Sequence, residues 1–343
     1  MSKKGDREVD VFLREAERRW ACLESYPGHL HRLLERRVQN GELVSPLPRL
    51  YARADLWSSL SPTMRTIFIA HGLQELHPDW VFCGTTAAVL HGLSVSWGVQ
   101  REIEVVGTSG GRRTQASGIV RRYVRGETPV ASFGAQVTPL LRTVFDCMRR
   151  LGFREGLAIA DSALHLGLTT GDALCAYVQD MRGGYDGTEQ ALRTARFSDP
   201  RPENGMESIA RATMFELGFA RPDLQVPFDD PMNPGRTYYV DYCWTLPDGT
   251  IIIGELDGGE KYANPLMSGG SPAVAMRRER RRESRITIDR PRIVRFSPEE
   301  AADIAYFNRL LETFGVPRDH KPLIDIPTGP TSELVPIEAY GLE

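Results

Sequence analysis

The chain has 343 residues, 41% of them hydrophobic and 25% charged, with a formal net charge of −3; this predicts two or three globular domains and excludes a polycation. No run approaches the roughly 20 apolar residues of a membrane-spanning helix, and residues 1–8 lack the apolar core of a signal peptide, so we expect no membrane association. The five cysteines are scattered without a Cys-x-x-Cys pair, which argues against a zinc site or a disulfide framework and favours a cytoplasmic location.

Residues 1–58 predict two helices followed by a β-hairpin. The predicted elements are helices Val9–Glu24 and His29–Asn40 and strand-like runs Glu42–Val44 and Leu50–Arg53. This order is that of a winged helix-turn-helix, whose second helix enters the major groove of DNA. Three arginines of that helix would then contact phosphates or bases: Arg32, Arg36 and Arg37. The alternative is a small helical subdomain whose arginines form a solvated face.

Residues 59–197 predict a middle domain with both helices and strands. Ser61-Pro62 has the cap and first-turn residues of a helix start. The other predicted elements are helices Phe82–Leu93, Leu140–Leu151, Gly156–Leu166 and Thr188–Ala195 and strands Glu102–Val106 and Ile119–Val124. His91 and Asp146 lie here, but a single histidine on a packed helix is more often structural than catalytic.

A run of helix-breaking residues, Asp199–Gly205, predicts the start of a last domain. Its predicted order is helix, three strands, helix, strand and helix: Met206–Leu217, Leu224–Pro227, Thr237–Trp244, Thr250–Leu256, Ser271–Ile286, Arg292–Phe296 and Glu299–Phe314. The helix Ser271–Ile286 is dense in arginine. It either tracks a nucleic-acid backbone or forms a solvated face with Glu–Arg pairs.

The segment 237–257 predicts a hairpin that brings acidic residues together. Pro247-Asp248-Gly249 has the residues of a three-residue loop, which places Asp241 directly across from Glu255. Asp257 lies two residues beyond Glu255 and shares its face. Opposed like charges are destabilising unless something compensates them, and Mg²⁺ is one such compensation. The alternative is that Asp257 belongs to an ordinary turn.

This element order, with Asp241 on the second strand and Glu255-Leu256-Asp257 on the third, resembles the PD-(D/E)XK nuclease superfamily, and most closely its very-short-patch-repair-like branch. The resemblance covers about Met206–Pro317. It also rests on Glu207-Ser208, Gln225-Val226-Pro227, Lys261-Tyr262, Arg281-Arg282-Glu283 and Ile293-Val294-Arg295-Phe296.

The superfamily resemblance implies a phosphodiesterase that uses Mg²⁺ or Mn²⁺ and acts on DNA. Asp241 and Glu255 would be the metal ligands, and Glu207 would orient metal or water. Asp257 occupies the place where the superfamily usually carries lysine, and this removes a positive charge that stabilises the reacting phosphate. Lys261 is the candidate to supply that charge instead.

A looser resemblance covers about His29 to Arg196, which is similar to the winged-helix and middle domain of AbiEi-type antitoxins from type IV toxin–antitoxin systems. It rests on Leu43–Tyr51, Thr85–Leu93 and Val137–Asp146. It implies a DNA-reading or regulatory module, with a toxin as a possible partner. In the arginine-rich helix, the expected contacts to the DNA backbone are Arg277, Arg281 and Arg282.

We therefore expect an α/β (α+β) multidomain chain. Its expected parts are a winged helix-turn-helix-like region 1–58, an AbiEi-like α/β middle domain 59–197, a nuclease-like domain 205–317 with a restriction-endonuclease-like mixed sheet flanked by helices, and an extended tail 318–343. The expected function is a Mg²⁺-dependent DNA endonuclease in defence or repair. The alternative is a DNA-binding transcriptional regulator or antitoxin whose nuclease fold is inactive. In either case the middle region could serve only as a scaffold.

Overall fold

The computed structural model describes residues 3–107, 118–257 and 291–327, with the side chains of the first helix described from Arg7 onward. The fold is mixed α/β, with helices and several small sheets. The chain divides into two compact units. The first holds the described residues up to Arg150 together with Asp172–Leu192, and the second holds Leu151–Gly171 together with the described residues from Arg193 onward. Within the described part of the chain, no helix is long and apolar enough to cross a membrane.

The first unit begins with two helices that pack on a small sheet. Its elements are α1 (Lys3–Arg18), β1 (Leu23–Glu24), α2 (His29–Gln39), β2 (Leu43–Val44) and β3 (Leu50–Arg53). The strands form an antiparallel sheet in the order β1-β3-β2. A buried cluster that includes Leu13, Leu34, Leu43 and Tyr51 joins the two helices to this sheet. The second predicted helix and the predicted hairpin are thus confirmed.

The predicted continuation of the first helix to Glu24 is wrong. Trp20 takes a left-handed conformation, with φ 54°. The Ala21 N–H then bonds to the Ala16 carbonyl and the Trp20 N–H to the Glu17 carbonyl, which is a Schellman ending. The next residues pair with β3 as strand β1. Helical spacing alone does not reveal this pairing, because its partner strand lies about 27 residues away in the sequence.

The rest of the first unit carries a parallel strand pair, a hairpin and several helices. These elements are α3 (Ala54–Ser59), α4 (Pro62–Leu76), α5 (Gly84–Leu90), a 3₁₀ turn (Trp97–Val99), β4 (Ile103–Gly107), β5 (Ile119–Tyr123), β6 (Val130–Ser132), β7 (Ala135–Val137) and α6 (Leu140–Arg150). Ser61 caps α4 as predicted, since its side chain accepts from the Met64 N–H. The helix predicted over Phe82–Leu93 is shorter than expected, because Phe82 forms β-bridges to Val105 and Val137.

The histidine and aspartate noted in the middle region have structural partners. His91 Nε2 lies 2.9 Å from the Thr138 carbonyl oxygen. Asp146 is buried and forms ion pairs with Arg142 at 2.8 Å and Arg149 at 2.7 Å. The His91 contact links the end of α5 to the segment before α6, and the Asp146 ion pairs lie within α6, which agrees with the structural interpretation of these residues.

The second unit contains a four-stranded mixed sheet. Its elements are α7 (Phe153–His165), α10 (Gly205–Glu216), β8 (Asp223–Asp229), β9 (Thr237–Thr245), β10 (Ile251–Leu256), β11 (Arg292–Phe296), α11 (Pro298–Ala302) and α12 (Ile304–Phe314). Between α7 and α10 the chain forms α8 (Gly171–Asp180) and α9 (Thr188–Phe197). The strand order is β11-β10-β9-β8, with β11 parallel to β10 and the other pairs antiparallel.

The core of this unit joins α10 and α12 to the sheet. Its buried members include Met214 on α10, Tyr242 and Ile252 on the sheet, and Phe307 on α12. Helix α10 also packs against α7. The helix predicted over Glu299–Phe314 is two helices, because the chain leaves the helical conformation at Asp303, whose side chain caps α12.

The described part of the tail carries no helix or strand beyond Phe314, apart from one β-bridge between Phe219 and Arg318. It is nevertheless attached to the second unit. The Leu323 N–H bonds to the Glu216 carbonyl at 2.7 Å, and Ile324 and Ile326 pack against the core. The predicted arginine-rich helix lies outside the described residues.

Candidate functional site

The predicted hairpin between β9 and β10 is confirmed, together with its register. The Leu246 N–H bonds to the Thr250 carbonyl at 2.8 Å, and Gly249 closes the loop in the left-handed conformation, with φ 84°. The paired residues run from Ile251 with Thr245 to Gly254 with Tyr242. The next position in this register places Glu255 opposite Asp241. The Asp241 carboxylate also accepts the Leu256 N–H at 2.8 Å, which fixes it at the end of β10.

The pairings on either side extend this position into a polar row across the sheet. On β8, Leu224 pairs with Tyr242 and Val226 with Val240, so Gln225 stands level with Asp241. On the other side, Glu255 pairs directly with Arg295 of β11. The acidic row, as we call it, therefore comprises Gln225, Asp241, Glu255 and Arg295, one from each strand. Residues level with one another on neighbouring strands have adjacent side chains, so charges along this row interact.

Helix α10 contributes a third acidic residue, Glu207, near its first turn. Asn204 caps this helix, accepting from the N–H groups of Met206 and Glu207. The Glu207 carboxyl accepts the Glu203 N–H at 2.8 Å and the Asn204 side-chain amide at 2.7 Å. It also accepts the Gln225 side-chain amide at 3.3 Å, which links the helix to the acidic row.

The pKa of Glu207 reflects both its burial and the nearby charge of Asp241. Burial and the charge of Asp241 raise the pKa of Glu207 to about 8, and the hydrogen bonds from Glu203 and Gln225 only partly oppose this. Glu207 is 5% exposed and Glu255 is 7% exposed. The site thus places carboxyl groups in buried surroundings, where a bound cation would favour their charged forms.

Asp257 lies just beyond β10 at the more open end of this group. Its N–H bonds to the Phe296 carbonyl at 2.9 Å, so it continues the pairing with β11. Its carboxylate lies 3.6 Å from a guanidinium nitrogen of Arg295. At the place where the superfamily resemblance predicts a lysine, the chain therefore has an acid joined to an arginine of the next strand.

The residues fit a cation that brings part of its own coordination shell. Over residues 3–107, 118–257 and 291–327, no group of three or more His, Cys, Asp or Glu side chains is arranged to hold a metal. Asp241 and Glu255 alone offer two carboxylates, and Glu207 is engaged with Gln225 and Asn204. Two carboxylates suit Mg²⁺, which commonly keeps several waters and takes phosphate oxygens from its substrate.

The structure places the predicted DNA-contacting arginines of α2 in different environments. Arg37 forms ion pairs within the first unit, with Asp10 at 2.7 Å and Glu42 at 2.8 Å, and its side chain is 14% exposed. Arg36 is half-buried. Arg32 is exposed and is therefore the one of the three best placed to reach a partner. The remaining predicted cations, Lys261, Arg277, Arg281 and Arg282, lie outside the described residues.

Sequence reasoning did not assign Gln225 and Arg295 to the site. Both lie in segments that carried the superfamily resemblance. Their roles depend on which residues stand level with Asp241 and Glu255. The β10–β11 pairing is parallel and joins strands about 40 residues apart, so no local turn fixes its register. The available signal was a polar residue interrupting each of two otherwise apolar strands.

Comparisons with known proteins give a partial match. The chain is similar to two uncharacterized proteins of Mycobacterium tuberculosis, one from strain CDC 1551 / Oshkosh and one from strain ATCC 25618 / H37Rv. Each is 31% identical over 123 residues, which is 36% of this chain and 43% of the relative. The chain thus matches less than half the length of these relatives. No family model and no solved structure matches the chain.

Proposed function

We propose that this protein is a metal-dependent phosphodiesterase that cleaves DNA internally, with its active site at the acidic row. The observation that carries the proposal is the β9–β10 register, whose last pair, Gly254 with Tyr242, directs Asp241 and Glu255 to the same end of the hairpin, beside the buried Glu207. A divalent cation bound between such carboxyl groups would favour their charged forms. Strained electrostatics of this kind are typical of functional sites.

The arrangement of elements around the row supports the same proposal. A helix precedes three antiparallel strands, and a fourth strand adds parallel to the third. This is the order expected of the restriction-endonuclease-like fold, with its acids on the second and third strands. We therefore assign the second unit to that fold as part of the proposal.

In this function Asp241 and Glu255 would hold the divalent cation, Mg²⁺ or Mn²⁺. Such a cation supplies a Lewis acid for the scissile phosphate and lowers the pKa of the attacking water. Glu207, fixed by Asn204 and Gln225, would orient that water from the helix side. The position of Glu255 is fixed by its pairing with Arg295 on β11, and that of Asp241 by its bond to the Leu256 N–H.

The test is cleavage of supercoiled, linear and mismatched DNA by the purified protein, with Mg²⁺ or with EDTA. We expect cleavage that Mg²⁺ supports, that EDTA stops and that Glu255→Gln abolishes. Asp248→Asn is the matched control, because it removes an exposed carboxylate from the loop of the same hairpin. Equal cleavage by wild type and Glu255→Gln would exclude the acidic row as the active site.

A second candidate function is a DNA-binding regulator or antitoxin whose nuclease fold is inactive. Two observations favour it: Asp257 stands where a lysine is expected, and the described residues contain no group of three metal-binding side chains. Salt-dependent DNA binding without cleavage would support this function. Under either function we place the protein in the cytoplasm, in defence or repair, with a toxin as a candidate partner.

A further inference from the structure

Arg295 lies at the partly exposed end of the acidic row, on β11. It stands level with Glu255 in the parallel pairing of β10 and β11. Its guanidinium is 3.6 Å from the Asp257 carboxylate, and the two side chains are 26% and 44% exposed. Glu255 beside them is buried. A permanent positive charge is thus placed where a ligand can reach it, next to the acids.

A positive charge at the position of Arg295 would assist phosphodiester hydrolysis. A water oxygen gives up a proton and forms a bond to phosphorus, the bond from phosphorus to the leaving oxygen breaks, and the leaving oxygen takes up a proton. Negative charge builds on the non-bridging oxygens during this step, and fixed cations stabilise it. Asp257 adds a negative charge near the phosphate, so a cation is needed there in addition to the metal.

Resting on the proposed nuclease function, we propose that Arg295 is the catalytic cation of this site and binds a non-bridging oxygen of the scissile phosphate. Asp257 is then a positioning residue that aims the guanidinium. An arginine suits both contacts, because its five N–H donors lie in one planar fork that can hold a carboxylate and a phosphate oxygen together. The superfamily usually carries this positive charge as a lysine on the third strand. In this chain, Arg295 on the fourth strand, β11, supplies it instead.

The experiment measures single-turnover cleavage at saturating DNA with Mg²⁺, and DNA affinity with Ca²⁺ in place of Mg²⁺. Arg295→Gln should lower the cleavage rate about 100- to 1,000-fold, as loss of one charge-stabilising donor does. Its DNA affinity should change less than about tenfold, because a single phosphate contact is lost. Arg292→Gln is the matched control: it removes an exposed arginine from the same strand, three residues away, and should cleave at the wild-type rate.

Restoring cleavage with a second substitution tests whether the charge of Arg295 is catalytic or structural. The double variant Asp257→Lys with Arg295→Gln returns a cation to the third strand, and it should cleave at least about tenfold faster than Arg295→Gln alone. If thermal unfolding shows that Arg295→Gln does not fold, Arg295→Lys is the variant to measure. A rate well above that of Glu255→Gln supports the inference, since lysine keeps the charge although it loses the planar fork, and a rate as low as that of Glu255→Gln overturns it.

The outcomes also separate this inference from the function on which it rests. Wild-type cleavage with an unchanged rate in Arg295→Gln overturns the role of Arg295 and leaves the nuclease in place. An equal loss in Arg292→Gln overturns it too, because any positive charge would then serve. If the wild-type protein shows no Mg²⁺-dependent cleavage, the proposed function is wrong, and so is the inference that rests on it.

Discussion

Gln225 adopts a backbone conformation that a glutamine rarely takes. Its φ of 49° lies in the left-handed region although it sits within strand β8. Such a conformation costs on the order of 1–3 kcal/mol and persists where the surroundings enforce it, which is common at functional sites. The distortion accompanies the contact between its side-chain amide and Glu207. We infer that strand β8 is strained at this position to keep Glu207 oriented.

Replacement of Gln225 by glycine should therefore lower the cleavage rate while changing the stability of the protein little. Glycine relieves this strain, but it loses the hydrogen bond to Glu207 and gives the unfolded chain more freedom, so these effects offset and Gln225→Gly should change the free energy of unfolding by less than about 1 kcal/mol. The cleavage rate should fall about 10- to 100-fold, the usual effect of losing a residue that orients a metal-site group. Urea denaturation and single-turnover cleavage measure the two quantities. An unchanged rate in a stable Gln225→Gly protein would show that this contact has no functional role.

Helices α7 and α10 are joined by a buried ion pair. Asp161 lies 2.7 Å from Arg211, and both side chains are almost fully buried. Arg211 also donates to the Phe197 carbonyl, and Asp161 accepts the Asp199 N–H. Burial raises the pKa of Asp161, and the charge of Arg211 opposes that rise. The pair fixes the helix that carries Glu207, since Arg211 lies one turn further along α10.

Loss of one partner of this pair should be strongly destabilising. Asp161→Asn leaves the Arg211 charge buried without its counter-charge, and we expect a loss of about 3–5 kcal/mol in the free energy of unfolding. The double variant Asp161→Leu with Arg211→Met should lose less than Asp161→Asn does. Arg18→Gln, which breaks an exposed pair with Glu15, is the control and should cost less than about 1 kcal/mol. Chemical denaturation measures all three, and an Asp161→Asn cost no larger than that of Arg18→Gln would contradict the role assigned to the pair.

Helix α2 presents two arginines with different roles. Its inner side is held to the sheet, where the Tyr51 hydroxyl donates to Glu35 and lies 3.0 Å from His31 Nδ1. Arg37 is tied to Asp10 and Glu42, whereas Arg32 is exposed. A helix that enters DNA would use the exposed residue, and the paired one would hold the helix in place.

DNA binding by the two α2 variants tests this division. Arg32→Ala should weaken binding and reduce the slope of log affinity against log salt by about 1, because one phosphate contact is lost. Its thermal stability should not change. Arg37→Ala should lower the stability of the first unit, since two ion pairs are lost. Fluorescence anisotropy over a range of salt concentrations measures the binding. Unchanged affinity and slope in Arg32→Ala would favour the solvated-face interpretation of this helix.

The elements that the sequence could predict are those set by local chemistry. The β9–β10 register follows from the loop Pro247-Asp248-Gly249, and it alone brings Asp241 and Glu255 together. The end of α1 was missed because β1 forms through a distant partner. The alignment of Arg295 with Glu255 was missed for the same reason, since the parallel pairing of their strands has no connecting turn. Non-local pairing, rather than weak local propensity, explains these misses.

At the scale of the whole molecule, the chain has a first unit that begins with two helices and a small antiparallel sheet and a second unit that carries the acidic row. In the proposed function, the first unit recognises DNA and the second unit cleaves it. Net charge gives no general attraction for DNA, because it is −3 over the chain. The proposed function therefore predicts that DNA binding depends on local groups such as Arg32 and Arg295 rather than on the overall electrostatic field.

Divalent-cation binding tests the central claim most directly, because it does not depend on finding the right DNA. Free Mn²⁺ can be counted by electron paramagnetic resonance as it is titrated with protein. We expect wild type and Asp248→Asn to bind Mn²⁺ in competition with Mg²⁺, and Asp241→Asn and Glu255→Gln to bind it at least about tenfold more weakly, since each loses one of two anionic ligands. Equal Mn²⁺ binding by all four proteins would contradict a metal site at the acidic row.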